Sequence, residues 1–137
     1  MSLIVAIKSV SSGNYLDGRG GQSNPLMTKR PARGDAYLNW TLEDLGNKIY
    51  AIRSVSSHLY LDGRGSSDSD PLMTNRQPIG DNYLQWTFES TGDNKYAIKS
   101  VSSGRYLDGR GGESNPLVTA RNPQGDNYLQ WVLEVML

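Results

Sequence analysis

The sequence has no cysteine and a single histidine among its 137 residues. Without cysteine the chain has no disulfide framework and no thiolate chemistry, so the fold must be stabilised by packing alone. The lone His58 lies in a Ser-Ser-His turn, which is a poor setting for a Ser–His–Asp catalytic set. We therefore expect a protein that is not an enzyme, with no catalytic residues, no metal site and no cofactor.

Excess charge and long apolar runs are also missing. The 14 basic and 14 acidic residues give zero formal charge. The sequence lacks a basic stripe interleaved with exposed aromatics, which is the pattern that would indicate a nucleic-acid partner. No run has membrane-spanning length. Residues 1–7 are briefly apolar but lack a charged leading segment and a cleavage site, so we interpret them as a strand. The expectation is a soluble protein without membrane insertion, cytoplasmic or released without a classical signal peptide.

What the chain does contain is one unit repeated three times. The phrase Tyr-Leu-Asp-Gly-Arg-Gly occurs at 15–20, 60–65 and 106–111. Each copy follows Ala-Ile-(Lys/Arg)-Ser-Val-Ser-Ser and precedes Pro-Leu-(Met/Val)-Thr, and each unit closes with Gly-Asp-x-Tyr-Leu-(Asn/Gln)-Trp. We expect a single domain with repeats at about 1–48, 49–94 and 95–137.

Each unit has the pattern of four short strands. In the third unit, segments 97–101, 106–108, 116–119 and 128–134 are strand-like, separated by clusters of Gly, Ser, Asn and Pro. Twelve strands in three units predict an all-β fold, a β-trefoil with a six-stranded barrel capped by hairpins. A three-bladed propeller and a β-prism are the alternatives. The bulky apolar residues on one face of the last strand favour the packed axis of the trefoil.

Strand alternation also predicts which residues form the core. Leu129, Trp131 and Leu133 share one face of the last strand, and Tyr128 lies on the other. With their equivalents and the leucines and isoleucines of the earlier strands, the expected core consists of Leu38, Trp40, Leu42, Leu84, Trp86, Phe88, Leu129, Trp131, Leu133, Ile7, Ile52, Ile98, Leu16, Leu61, Leu107, Leu26, Leu72 and Leu117.

The repeated aspartate is the strongest candidate for binding chemistry. Asp17, Asp62 and Asp108 are equivalent, and a carboxylate can accept hydrogen bonds from two neighbouring sugar hydroxyls. The alternative is that Asp-Gly only forms a turn. The glycines that follow either let backbone amides approach a ligand or only form tight hairpins.

Arginines and tyrosines accompany each aspartate. Arg19, Arg64 and Arg110 are expected to pair with Asp35, Asp81 and Asp126, whereas Arg30, Arg76 and Arg121 are a second set of possible donors to a ligand. Tyr37, Tyr83 and Tyr128 are expected to lie away from the core, where a ring offers a flat face to a pyranose. The alternatives are the same for Tyr15, Tyr60 and Tyr106: their rings either stack on a pyranose or only fill the strand.

The pattern Ile-x-x-x-x-Ser-Gly-x-Tyr-Leu-Asp-Gly, followed by a Trp-x-(Leu/Phe) strand, resembles the ricin-B-type β-trefoil lectins, above all their cysteine-free mushroom and invertebrate members. The resemblance covers the whole chain. It implies a lectin that binds galactose or N-acetylgalactosamine on glycoconjugates at up to three sites and acts by avidity, as a monomer or homodimer. In that family a glutamine stands two residues before the tryptophan, where this chain has Leu38, Leu84 and Leu129.

The expected sugar-binding residues are Asp17, Gly20, Gly21, Tyr37, Asp62, Gly65, Asn82, Tyr83, Asp108, Gly111, Gly112, Arg121, Asn127 and Tyr128. The third unit is expected to bind best. The first has Ala36 in place of asparagine, and the second has a longer glycine loop with Asp70 in place of asparagine. A β-trefoil protease inhibitor, acting through one protruding loop, is the alternative function.

Overall fold

The computed structural model describes residues 3–64 and 70–136. Short strands joined by turns and 3-10 turns make up this part of the chain, and none of its helical segments has the length or apolar character to cross a bilayer. The strands are β1 Leu3–Ser9, β2 Tyr15–Asp17, β3 Leu26–Thr28, β4 Trp40–Gly46, β5 Ile49–Ser54, β6 Tyr60–Asp62, β7 Leu72–Thr74, β8 Trp86–Gly92, β9 Lys95–Ser100, β10 Tyr106–Asp108, β11 Leu117–Thr119 and β12 Trp131–Val135.

Six of these strands close into a barrel. Antiparallel pairing runs from β1 through β4, β5, β8, β9 and β12 and returns to β1. The hairpins β2–β3, β6–β7 and β10–β11 join the barrel through β1, β5 and β9. Closure pairs every barrel strand on both sides, so none of these strands is left as an open edge. The predicted β-trefoil is confirmed.

The barrel core is built from the predicted tryptophans and from the isoleucines and leucines of the preceding strands. Trp40, Trp86 and Trp131 are fully buried. Each indole nitrogen donates to the carbonyl of the leucine before the repeated aspartate, at 3.0 to 3.1 Å. A buried indole N–H needs such a partner. This hydrogen bond fixes the aspartate loop to the centre of the barrel.

The prediction for the fourth strand was wrong at its start. The strand of the third unit begins at Trp131, because Asn127–Leu129 form a 3-10 turn. Asp126 caps that turn by accepting a hydrogen bond from the Tyr128 amide at 3.0 Å. Leu129 is still fully buried. In the first unit the equivalent Leu38 packs outside the barrel core, in a small cluster with Ala6 and Ala32.

The prediction that Leu26, Leu72 and Leu117 lie in the core was also wrong. The next residue of each strand takes that place: Met27, Met73 and Val118 belong to the core cluster, whereas the leucines are only half-buried. Successive side chains of a strand point to opposite faces. The leucines therefore face outward, towards the loops that carry the repeated aspartates.

Candidate functional site

The repeated aspartate organises the loop that follows it. Asp17 ends β2 and is 2% exposed. Its Oδ1 accepts a hydrogen bond of 2.8 Å from the Arg19 amide, which holds Arg19 in the left-handed region at φ +57°. The same bond recurs at Asp62 and Asp108. This carboxylate therefore shapes the loop, whatever else it binds.

The glycine after each aspartate is required by a close approach from the neighbouring repeat. A Cβ on Gly109 would lie 2.8 Å from Ser9 Oγ and 3.3 Å from the Trp131 ring. Gly18 and Gly63 have the same surroundings, with Ser54 and Ser100 as the neighbouring serines. The Asp-Gly pair thus connects its own loop to the core tryptophan and to the neighbouring repeat.

One arginine bridges two aspartates in every repeat. Arg30 donates from Nη2 to Asp17 Oδ2 at 3.1 Å and from Nε to Asp35 Oδ2 at 2.9 Å. Arg76 and Arg121 make the same pair of contacts at 2.8 to 3.0 Å. The hydrogen bond to Asp35 is the main cause that raises the pKa of Arg30, and burial opposes it. The guanidinium is a fixed, half-exposed cation.

These contacts correct the expected ion pairs. Asp35 is bound by Arg30, not by Arg19, whose Nη1 donates instead to the Asn24 carbonyl at 3.4 Å. In the third repeat Arg110 pairs with Glu113 at 2.9 Å. The prediction failed because residue spacing does not reveal which arginine faces the loop.

The tyrosine after the second aspartate is the exposed aromatic of the site. The Tyr37 amide donates to Asp35 Oδ1, and its ring lies 5.9 Å from the guanidinium carbon of Arg30. A Cβ on Gly20 would come within 2.8 Å of that ring, so this glycine packs directly against it. Tyr37, Tyr83 and Tyr128 are each 48% exposed. Gly111 packs against Tyr128 in the same way.

Pockets open at this arrangement in the second and third repeats. The second encloses about 340 Å³ and is lined by Asp62, Arg64, Leu72, Arg76, Asp81 and Tyr83. The third encloses about 200 Å³ and is lined by Asp108, Arg110, Glu113, Leu117, Arg121 and Tyr128. Both combine a carboxylate and a guanidinium with an apolar leucine and an exposed ring.

Four other predicted residues, Asn82, Asn127, Gly21 and Gly112, lie on 3-10 turns. Asn82 and Asn127 are exposed on the 3-10 turn and are not among the lining residues. Gly21 and Gly112 end the 3-10 turns that begin at Arg19 and Arg110. Gly65 lies outside the described residues.

The sequence interpretation missed the pocket role of Leu72, Leu117 and Glu113, and it treated Asp81 only as an ion-pair partner. The repetition of Gly-Asp-x-Tyr was the available signal for Asp81 and its equivalents.

Comparison with known proteins agrees with the architecture. Residues 3–75 and 82–136 match the family described as ricin-type beta-trefoil lectin domain-like. A search of curated protein sequences finds no match.

Solved structures share the fold at low sequence identity. A designed threefold-symmetric protein, ThreeFoil, has a TM-score of 0.81 at 23% identity, over 96% of this chain and 97% of that one. A ricin B-like lectin of Macrolepiota procera in complex with lactose has a TM-score of 0.75 at 19% identity, over 96% and 94%. The C-half of an earthworm R-type lectin in complex with GalNAc has a TM-score of 0.72 at 15% identity, over 97% and 98%.

Several other matched chains are longer, and this chain spans between 18% and 48% of them. The family match extends over the aspartate loops and the tryptophan strands. The chain belongs to the ricin-type beta-trefoil lectin domain-like family.

Proposed function

We propose that this protein is a lectin that binds galactose or N-acetylgalactosamine at up to three equivalent sites, one in each repeat. The observation that carries the proposal is the pocket between the aspartate loop and the exposed tyrosine. In the third repeat, Asp108, Arg121 and Tyr128 all line one opening. A hydroxyl acceptor, a hydroxyl donor and a flat apolar surface converge there.

The polar groups in the pocket keep free hydrogen-bonding capacity. Arg121 donates from Nε to Asp126 and from Nη2 to Asp108. Because a guanidinium has five N–H donors, further donors remain for a sugar hydroxyl. Each carboxylate oxygen accepts one bond in the structure and has a second lone pair. The bridge fixes both side chains before a sugar arrives, which reduces the entropy lost on binding.

The apolar side of the pocket supports the same assignment. Tyr128 exposes about half of its surface, and Leu117, the cross-strand neighbour of Asp108, is part of the lining. A pyranose has one face of C–H groups that stacks on an aromatic ring, while its hydroxyls need polar partners. The galactose class is supported by the lactose and GalNAc complexes of two proteins with the same fold.

Binding, not catalysis, is the activity that this geometry supports. Asp108 and Asp126 are both bound to the Arg121 guanidinium, which holds the two carboxylates in place. Three such sites on a rigid barrel would act together on a surface that displays many glycans. Avidity can exceed single-site affinity by roughly 10²–10⁴ when the geometry permits.

The test is a titration of the isotope-labelled protein with lactose and with N-acetylgalactosamine, in which binding is monitored through the amide chemical shifts. The expected result is saturable shifts at the aspartate loops and at the tyrosine turns, with maltose as the matched control that causes none. Absence of saturable shifts with either galactoside would refute the proposal. Shifts confined to one repeat would refute three equivalent sites while retaining the lectin assignment.

A further inference from the structure

A second kind of cavity lies at one end of the barrel, away from the three aspartate loops. It encloses about 350 Å³ and is lined by Leu3, Leu42, Asp44, Tyr50, Phe88, Tyr96 and Leu133. These residues come from the amino-terminal ends of β1, β5 and β9 and the middle parts of β4, β8 and β12. The capping hairpins follow the other ends of β1, β5 and β9. The cavity is therefore the open mouth of the barrel, remote from the proposed sugar pockets.

The mouth is aromatic and continuous with the core. Tyr50 and Phe88 pack edge to face with ring centroids 5.6 Å apart. Tyr50, Phe88 and Leu133 are half-buried against the core cluster, and Leu42 belongs to that cluster. The volume is within the range of about 300–1,000 Å³ that small-molecule sites occupy, and barrel mouths are frequent locations for such sites.

Threefold symmetry breaks down at this mouth. Leu42, Phe88 and Leu133 occupy equivalent positions, but the position two residues later is Asp44 in the first unit, Ser90 in the second and Val135 in the third. Likewise Tyr50 and Tyr96 correspond to Val5. The three aspartate loops repeat one arrangement, whereas the lining of the mouth differs from one repeat to the next.

Asp44 gives the cavity its charge. Among the described residues lining the mouth it is the only carboxylate, and no lysine or arginine is among them. Its Oδ1 accepts a hydrogen bond from the Gly46 amide at 2.8 Å, which fixes the side chain at the rim. Lys48 is exposed on the adjoining turn and is not a lining residue. Tyrosine and phenylalanine faces attract cations as well.

We propose that the barrel mouth is a binding site for a small amphipathic amine, with an aromatic or aliphatic body among Tyr50, Phe88 and Tyr96 and its ammonium group at Asp44. This site is independent of the proposed sugar sites and can exist whether or not they function.

The test compares two probes that share an indole ring but differ in charge. Tryptamine carries an ammonium group and 3-indolepropionate a carboxylate. The expected result is saturable amide shifts at β4, β5, β8 and β9 with tryptamine, and much weaker shifts with 3-indolepropionate. No saturable shifts at the mouth with tryptamine, or equal affinity for both probes, would overturn the proposal.

Two variants check the assignment with residues that the repeats themselves suggest. Asp44→Asn keeps the acceptor for the Gly46 amide and removes the charge, and should weaken tryptamine binding roughly two- to fivefold. Phe88→Leu introduces the residue that the other repeats carry at that position, so the barrel should still fold. Tryptamine binding should be weaker than in the unaltered protein. Unchanged tryptamine affinity in both variants would overturn the site. Galactoside binding should be the same in both variants as in the unaltered protein.

Discussion

Tyr15 Oη donates a hydrogen bond of 2.7 Å to Glu134 Oε1, joining two residues 119 positions apart in the chain. The same bond joins Tyr60 to Glu43 and Tyr106 to Glu89, at 2.7 and 2.8 Å. Each tyrosine thus reaches the last barrel strand of the preceding repeat, and the ring of repeats closes through Tyr15. Tyr15, Tyr60 and Tyr106 are therefore contacts between repeats, whereas Tyr83 and Tyr128 are exposed at the pockets of the second and third repeats.

The tyrosine–glutamate bonds predict how stability changes at alkaline pH. Burial, assisted by Glu134 and Glu89, raises the pKa of Tyr15 and Tyr106 from 10.0 to about 12. Because the folded pKa lies above the unfolded value, the neutral tyrosines contribute stability that is fully present below pH 10.0 and is lost as pH rises through about 12. Urea unfolding across this window should show a falling free energy of unfolding.

The control for this prediction is the double variant Tyr15→Phe/Tyr106→Phe. It should be less stable than the unaltered protein at pH 8, since Glu134 and Glu89 lose the tyrosine hydrogen bond and keep only Lys8 and Lys99. Its stability should fall less steeply above about pH 10. An identical pH slope in both proteins would show that the two tyrosines are not the groups that titrate.

Tyr128→Ala should remove glycan binding from the third repeat without unfolding it. The ring is 48% exposed and packs on Gly111 and beside the Arg121 guanidinium, whereas the capping bond uses the Tyr128 backbone amide and is retained. Exposed substitutions of this kind usually change stability by less than about 0.5 kcal/mol. Calorimetric titration with N-acetylgalactosamine should lose one site. Retention of every site would exclude the ring from binding.

Asp108→Ala should weaken both binding and the fold, so the two effects must be measured separately. The carboxylate is 2% exposed and accepts from the Arg110 amide and from Arg121 Nη2. Its removal leaves a buried donor without a partner, at a cost of about 1–3 kcal/mol. If the third site binds best, this variant should lose more galactoside binding than Asp17→Ala or Asp62→Ala.

Asp108→Asn is the matched control, because an amide oxygen still accepts from the Arg110 amide while the charge that pairs with Arg121 is gone. Denaturant midpoints of both variants separate loop stability from binding. Equal loss of binding in all three Asp→Ala variants would contradict the ranking. The pocket of the second repeat is larger than that of the third, about 340 against 200 Å³, and this difference argues for stronger binding in the second repeat.

Gly109→Ala tests whether the Asp-Gly pair is fixed by packing. Its new methyl group would meet Ser9 Oγ at 2.8 Å and the Trp131 ring at 3.3 Å, and overpacking of this kind costs about 1–3 kcal/mol. The double variant Gly109→Ala/Ser9→Ala removes the nearest atom, so part of the loss should be recovered in a double-mutant cycle of chemical denaturation. No recovery would locate the strain at the atoms that remain, Ser9 Cβ at 3.1 Å and the Trp131 ring.

Much of this architecture follows from the sequence because each unit repeats its apolar pattern. Trp131 and Ile98 could be placed in the core because they lie in strands long enough to show alternation. The strand of Leu117 is only three residues long, and such a segment does not define which side faces inward. The 3-10 turn at Tyr128 depends on the Asp126 cap, and the Arg121–Asp108 pair joins residues 13 positions apart. The turn and the ion pair both depend on contacts that form only in the folded chain, so neither could be predicted from the sequence.

Charge in the third pocket predicts discrimination against acidic glycans. Asp108 and Glu113 line this pocket beside Arg110 and Arg121. Asp126 is not a lining residue but is bound to Arg121, so these five groups together carry one excess negative charge. Lactose is neutral, whereas 3′-sialyllactose adds a carboxylate, and interactions between exposed charges amount to about 0.2–1 kcal/mol. Titrations at low salt should therefore show roughly two- to fivefold weaker binding of the sialylated sugar at this site.

Glu113→Gln isolates the cause, because the first repeat already has Gln22 at the equivalent position. Glu113 is exposed and pairs only at the surface with Arg110, so the substitution should leave lactose affinity and stability nearly unchanged. It should bring the sialylated sugar close to lactose in affinity, since it removes the excess negative charge and frees Arg110. If the preference for lactose persists at the same size in this variant, the shape of the pocket and not its charge excludes the sialic acid.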